Sequence, residues 1–227
     1  TLTSAYDMTT ILYSKEKSVL DEDTAPQAIT FNNDGSKMYI LGNGGNTEKG
    51  IAAGNINEYA CSTNYDVATA TYTDRLSVAS EDLNGQDIFF NNVARGAVNA
   101  GGLCFLVGDD GNDVNEYLLG TEYDISTAAF VDAHSVAAED DKPRALAFDN
   151  DGDKLFVVGG TGNEINQYPL VTGFDISTTQ AVTATQSLRT NSIEPRGFSF
   201  NNDGTKMFVV GTGGTLVIDN GDDELPI

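Results

Sequence analysis

The chain has 227 residues, with 34 Asp and Glu against 12 Lys and Arg, for a formal net charge of −22. Hydrophobic residues make up 40% and the acid is spread along the chain, so a disordered acidic tail is excluded and a well-filled core is expected. Phosphate backbones need a basic footprint, which excludes nucleic acid as a partner, and no apolar run approaches the roughly 20 residues of a bilayer span, so membrane insertion is not expected.

The chain opens at Thr1 without Met or a basic-then-apolar leader, and is read as a processed chain, an excised piece or an incomplete one. Its first block is Tyr6-Asp7-Met8-Thr9-Thr10, which leads to Ser18-Val19. An apolar alternation with a turn follows, Ala28-Ile29-Thr30-Phe31-Asn32-Asn33-Asp34-Gly35. Next is an almost wholly apolar run closed by glycine, Lys37-Met38-Tyr39-Ile40-Leu41-Gly42. A period-2 segment, Asn55-Ile56-Asn57-Glu58-Tyr59, completes the set.

These blocks recur. The aromatic-Asp block returns at Tyr65, Tyr123 and Phe174, at intervals of 59, 58 and 51 residues. The turn block returns at Ala145–Gly152 and Gly197–Gly204, with a degenerate copy, Asp87-Ile88-Phe89-Phe90-Asn91-Asn92, that runs into an insertion from Val93 to Gly101. The glycine-ended run returns at Leu103–Gly108, Lys154–Gly159 and Lys206–Gly211. The period-2 segment returns at Asp113–Tyr117 and Glu164–Tyr168, and in altered form at Thr215–Ile218.

Each unit predicts four short strands joined by turns. Asn and Gly supply the positive φ of a tight turn, the nearly all-apolar second run reads as a strand covered on both faces, and the Asp-Ile-Ser-Thr stretch is short enough for a single helical turn. Four antiparallel strands per 50–60 residues is the pattern of a β-propeller blade. The expected fold is therefore all-β: one β-propeller domain over residues 1–227, with four blades of four antiparallel strands. The opening segment, a fourth-strand block, is expected to complete the last blade and remove two open sheet edges. A larger ring completed by further sequence or by a second copy is the alternative.

The string Pro-Arg-x-x-x-Phe-x-x-Asp-Gly-x-Lys-x-Phe-Val-Val-Gly is clearest at Pro143–Gly159 and Pro195–Gly211. It resembles the repeat of bacterial and phage-encoded β-propeller proteins. Such repeats are similar to those of viral tail or fibre proteins and secreted adhesin-like proteins, where they serve as binding or spacer modules. The resemblance implies a non-catalytic recognition or structural module on an extracellular or virion surface, with a surface glycan, an anionic small molecule or a protein as its partner. Related propellers include lactonases and lyases, whose catalytic residues find no matching motif here. Two alternatives stay open: a metal-dependent hydrolase or lyase using the channel mouth, and a scaffold subunit of a larger assembly.

The candidate ligand-binding residues are Gln27, Gln86, Arg144 and Arg196, at equivalent positions where each first strand begins. Two of the five arginines sit there, and converging guanidinium and amide donors can hold a carboxylate or phosphate. The plainer reading pairs Arg144 and Arg196 with acids such as Asp140, Asp141 and Glu194. No cofactor is expected. Calcium is the one metal the Asp-rich turns admit, around Asp149, Asp151 and Asp153 and around Asp109, Asp110, Asn112 and Asp113, but the spacing about Gly152 departs from the EF-hand loop. Tyr59, Tyr117 and Tyr168 read as packing between blades rather than as sugar platforms. His134 has no nucleophile motif around it, and Cys104 reads as a core thiol.

Overall fold

The computed structural model describes residues 14–91, 102–188, 194–212 and 217–219. They form fifteen strands in four antiparallel sheets. The first sheet holds β1 (Pro26–Phe31), β2 (Lys37–Gly42), β3 (Asn55–Cys61) and β4 (Ala70–Ser77), in that order. The second holds β5 (Gly85–Asn91), β6 (Leu103–Gly108), β7 (Asp113–Leu119) and β8 (Ala128–Ser135). The third holds β9 (Pro143–Phe148), β10 (Lys154–Gly159), β11 (Glu164–Pro169) and β12 (Ala184–Ser187). The fourth has three strands among the described residues, β13 (Glu194–Phe200), β14 (Met207–Thr212) and β15 (Val217–Asp219). The expected all-β fold and its four-sheet plan are thus present. The expected closing block runs from Tyr6 to Val19: its residues up to 13 lie outside the described residues, as does the insertion from Val93 to Gly101, and its described part, residues 14–19, forms no strand and pairs with no sheet.

The repeated turns fold as their composition demands. Gly35 and Gly152 both take φ of 73°. The Asn32 side chain accepts the Lys37 N–H at 2.9 Å, and Asp149 does the same for Lys154 at 3.2 Å. These are hairpin devices that use the side-chain oxygen as a turn acceptor. Among the described residues no group of three His, Cys, Asp or Glu side chains gathers as a metal donor set. The Asp-Ile-Ser-Thr stretches form single 3₁₀ turns, each capped by its Asp.

The second strands of the first three sheets are largely buried, as their composition predicts, and every residue of β6 is buried; β14 departs from that expectation, with Val210 62% exposed. Neighbouring sheets share their cores. Phe105 and Val107 of the second sheet pack with Leu155, Val157 and Phe174 of the third. Tyr59, Tyr117 and Tyr168 are buried, and their hydroxyls donate to Glu22, Glu81 and Glu139 at 3.1, 3.1 and 3.2 Å. Cys61 and Cys104 are both free and buried, and burial pushes both thiols up.

A buried aspartate precedes each of the first three sheets. Asp23, Asp82 and Asp140 are 0%, 1% and 4% exposed. Each accepts backbone N–H groups from the loop after the second strand: Gly45 at 3.1 Å, Gly111 at 3.0 Å and Gly162 at 2.6 Å. This clamp explains the glycine that ends each second strand. A Cβ on Gly42, Gly108 or Gly159 would stand 2.2, 2.3 or 2.0 Å from the clamping carboxyl carbon.

Candidate functional site

The four first strands lie side by side in chain order, β1 by β5, β5 by β9 and β9 by β13. Each carries one residue too many for its register. Pro26 pairs with Gly42 and Ala28 with Leu41, so Gln27 has no partner. Gln86, Arg144 and Arg196 are the extra residues of the same bulge in β5, β9 and β13. A bulge bends its strand and re-aims a side chain. All four candidate residues are therefore bulge residues, and all four line a single cleft of about 600 Å³. The sequence showed the equivalence of these positions but not the bulge that makes it useful.

The cleft rim is a charged network. Arg144 Nη1 donates to Gln86 Oε1 at 3.0 Å and to Asp109 Oδ2 at 3.2 Å. Arg196 Nη2 donates to Glu194 Oε1 at 3.0 Å, and the same oxygen lies 3.9 Å from Arg144 Nη2. Arg144 is the better-buried arginine, its side chain 13% exposed against 45% for Arg196. Its Nε has no hydrogen-bond partner among the described residues. Gln27 lines the cleft apart from this network, its amide turned back to the Ala25 carbonyl at 3.5 Å. The plainer pairing is right for Glu194 and needs correction elsewhere. Asp140 is committed to the backbone clamp, Asp141 accepts the Thr161 hydroxyl, and the acid that holds Arg144 is Asp109.

One residue escaped the sequence reading. Directly after the bulge the strands carry Ala28, Asp87, Ala145 and Gly197, so Asp87 is the only ionisable group among them. It lines the cleft and is partly exposed there. Its Oδ1 accepts the Ile88 N–H at 2.9 Å and its Oδ2 the Leu146 N–H at 3.2 Å. Burial pushes its carboxyl up from 3.8 to about 6, against the lowering effect of those two amides. The break in the Ala/Asp/Ala/Gly column was the available signal.

The cleft floor is apolar. Ile29, Phe208 and Val210 line it and are 58%, 37% and 62% exposed. An apolar basin with arginines, an amide and a carboxylate on its rim suits a small polar anion with a hydrophobic face. His134 lies elsewhere, its ring edge-on to Tyr168 at 5.6 Å, and burial lowers its proton affinity.

No family model and no curated protein matches the sequence. Among solved structures, the chain is similar to a candidate 6-phosphogluconolactonase of Bacteroides uniformis, with TM-score 0.55 and 12% identity over 83% of this chain and 50% of that one. It is similar to a candidate 6-phosphogluconolactonase of Bacteroides fragilis, with TM-score 0.55 and 14% identity over 85% and 53% of the two chains. The periplasmic gluconolactonase of Pseudomonas aeruginosa matches with TM-score 0.54 and 14% identity over 86% and 50%. The chain thus spans about half the length of these structures, and at such identity the likeness shows the fold. The names of these neighbours run against the expectation of a non-catalytic tail-fibre, adhesin or carbohydrate-binding module. They are named as hydrolytic lactonases, and in this chain the cleft holds an ionisable carboxyl, that of Asp87.

Proposed function

We propose that this chain hydrolyses a sugar lactone bearing an anionic substituent, in the cleft lined by its first strands. In this reading the four sheets are blades of a β-propeller, closed by the opening segment. The observation that carries it is the juxtaposition of the Arg144 network with Asp87 in one cleft, on a fold that lactonases share. The substrate class comes from the named activity of those neighbours.

The chemistry needs a base, an anion holder and an apolar wall. The Asp87 carboxylate takes a proton from a water as that water's oxygen bonds to the lactone carbonyl carbon. The ring ester bond then breaks, and the proton passes to the departing ring oxygen, giving the open hydroxy acid. Arg144 holds the anionic substituent. Its local charge matters because the whole chain, at −22, repels anions.

The test is hydrolysis of 6-phosphogluconolactone and of gluconolactone, followed by base consumption at constant pH against a buffer blank. We expect turnover of the phosphorylated lactone, and an Arg144→Ala variant with KM raised about 10- to 100-fold and kcat changed far less, since loss of a charge-assisted contact acts on binding. Rates at the blank for both lactones contradict the proposal.

A further inference from the structure

Pro26, Gly85, Pro143 and Pro195 are equivalent, each paired with the glycine of its second strand. The residue ahead of them differs from copy to copy: Ala25, Asn84, Lys142 and Glu194. Only the fourth is an acid, and it shares β13 with Arg196.

The two oxygens of that carboxylate do different work. Glu194 Oε1 accepts from Arg196 Nη2 at 3.0 Å and lies 3.9 Å from Arg144 Nη2. Oε2 accepts from the Thr212 hydroxyl at 3.2 Å. One oxygen thus sits between the two guanidinium groups, the place an anion must take to touch both. Converging guanidinium groups hold carboxylates and phosphates alike.

The members of this seat are held to different degrees. The Arg144 side chain is 13% exposed and is anchored to Gln86 at 3.0 Å and Asp109 at 3.2 Å. Gln86 is fixed in turn, its amide donating to the Asn84 carbonyl at 3.1 Å. Arg196 and Glu194 are 45% and 44% exposed. Solvent screening and side-chain entropy leave so exposed a pair little net stability, so it exchanges readily. Arg144 is the fixed wall of the seat, and Glu194 is the part that can leave.

The charges of the seat determine what can replace Glu194. Arg144 and Arg196 are balanced by Asp109 and Glu194. A monoanionic carboxylate that displaces Glu194 exchanges one negative charge for another and loses its translational freedom in doing so. A phosphate dianion brings a second charge to the same two guanidinium groups, a gain the monoanion lacks.

We propose that Glu194 is a resident stand-in for the ligand's anion between Arg144 and Arg196, and that its displacement makes the cleft select phosphate dianions over carboxylates. This rests on the reading of the cleft as an anion site and narrows its substrate class to phosphorylated lactones.

The test is calorimetric titration of the full chain with inorganic phosphate and with acetate, at pH 8 and low salt, where phosphate is mainly dianionic and screening is weak. The wild-type chain is expected to bind phosphate at least about tenfold more tightly than acetate. Glu194→Gln keeps the side chain's size and its acceptor for Thr212 while removing the competing charge. It should tighten both anions about three- to tenfold. Asp110→Asn removes a like charge that is bound to Asn84 rather than to an arginine, and should move either affinity by less than about twofold. Equal binding of phosphate and acetate by the wild-type chain, unchanged affinities in Glu194→Gln, or the same gain in Asp110→Asn each overturns the proposal. So does phosphate binding that is absent from the wild-type chain and Glu194→Gln alike. Lactone hydrolysis is not read here. Phosphate selectivity without turnover would sink the lactonase reading alone, and turnover with phosphate affinity indifferent to Glu194 would sink this proposal alone.

Discussion

Gly159→Ala is expected to destabilise the fold by about 3–5 kcal/mol, the cost of forcing an atom into a rigid, well-packed place. The added Cβ would stand 2.0 Å from Asp140 Cγ and 2.2 Å from its Oδ2. The carboxylate cannot swing away cheaply. It is 4% exposed and accepts N–H groups from Lys142 at 2.7 Å, Thr161 at 3.1 Å and Gly162 at 2.6 Å. Moving it would orphan buried backbone donors, each worth about 1–3 kcal/mol when left unpaired. For a chain of this size the loss corresponds to a fall in Tm of roughly 10 °C. Gly120→Ala is the control, because the nearest atom to its Cβ is 3.4 Å away, an ordinary contact. Thermal melts of the two variants decide the matter. Equal Tm values would mean that the clamp contributes nothing special.

Asp87→Asn is expected to lower kcat about 10²–10⁴-fold, the usual worth of a positioned general base. Burial holds the carboxyl at about 6, so near neutral pH it is ionised yet basic enough to take a proton from water. The proposed reaction requires the ionised form. The pH profile of kcat/KM should therefore rise through about 6 and flatten above it, and the variant's residual rate should lack that limb. The stability sign runs the other way. A carboxyl raised above its ordinary 3.8 favours the fold fully below that value and loses the contribution as pH rises through about 6. At pH 8 the native charge already costs stability, so removing it offsets the acceptor that Asn lacks toward the Ile88 and Leu146 amides. The expected Tm change there is a few degrees, small enough to separate lost chemistry from lost fold. An unchanged kcat with an unchanged pH profile would remove Asp87 from the reaction.

Repetition made the strands legible and its exceptions made the site legible. The apolar run Leu103–Gly108 could only be a doubly covered strand, and Asn-Asp-Gly could only be a tight turn. The shared position of Gln27, Gln86, Arg144 and Arg196 was legible in the repeats, and all four line one cleft. Three things stayed hidden. The bulge depends on pairing register, which no local pattern states. The partner of Arg144 is Asp109, from the loop after β6, 35 residues away in the chain. The Asp23, Asp82 and Asp140 clamps look like ordinary loop acids until backbone amides are seen to converge on them. Asp87 is the instructive miss. Alignment of the repeats showed an acid where the others carry Ala or Gly, and only its position inside the cleft turns that exception into chemistry.

The central claim, that the first-strand cleft is where a sugar-lactone substrate binds and reacts, is tested most directly by a crystal structure of the chain with 6-phosphogluconate, the open product. The account predicts the phosphate within hydrogen-bond distance of Arg144 and the product carboxylate beside Asp87, on the floor formed by Ile29 and Val210. Density for the product outside this cleft, with Arg144 still bound to Gln86 and Asp109 alone, would contradict it.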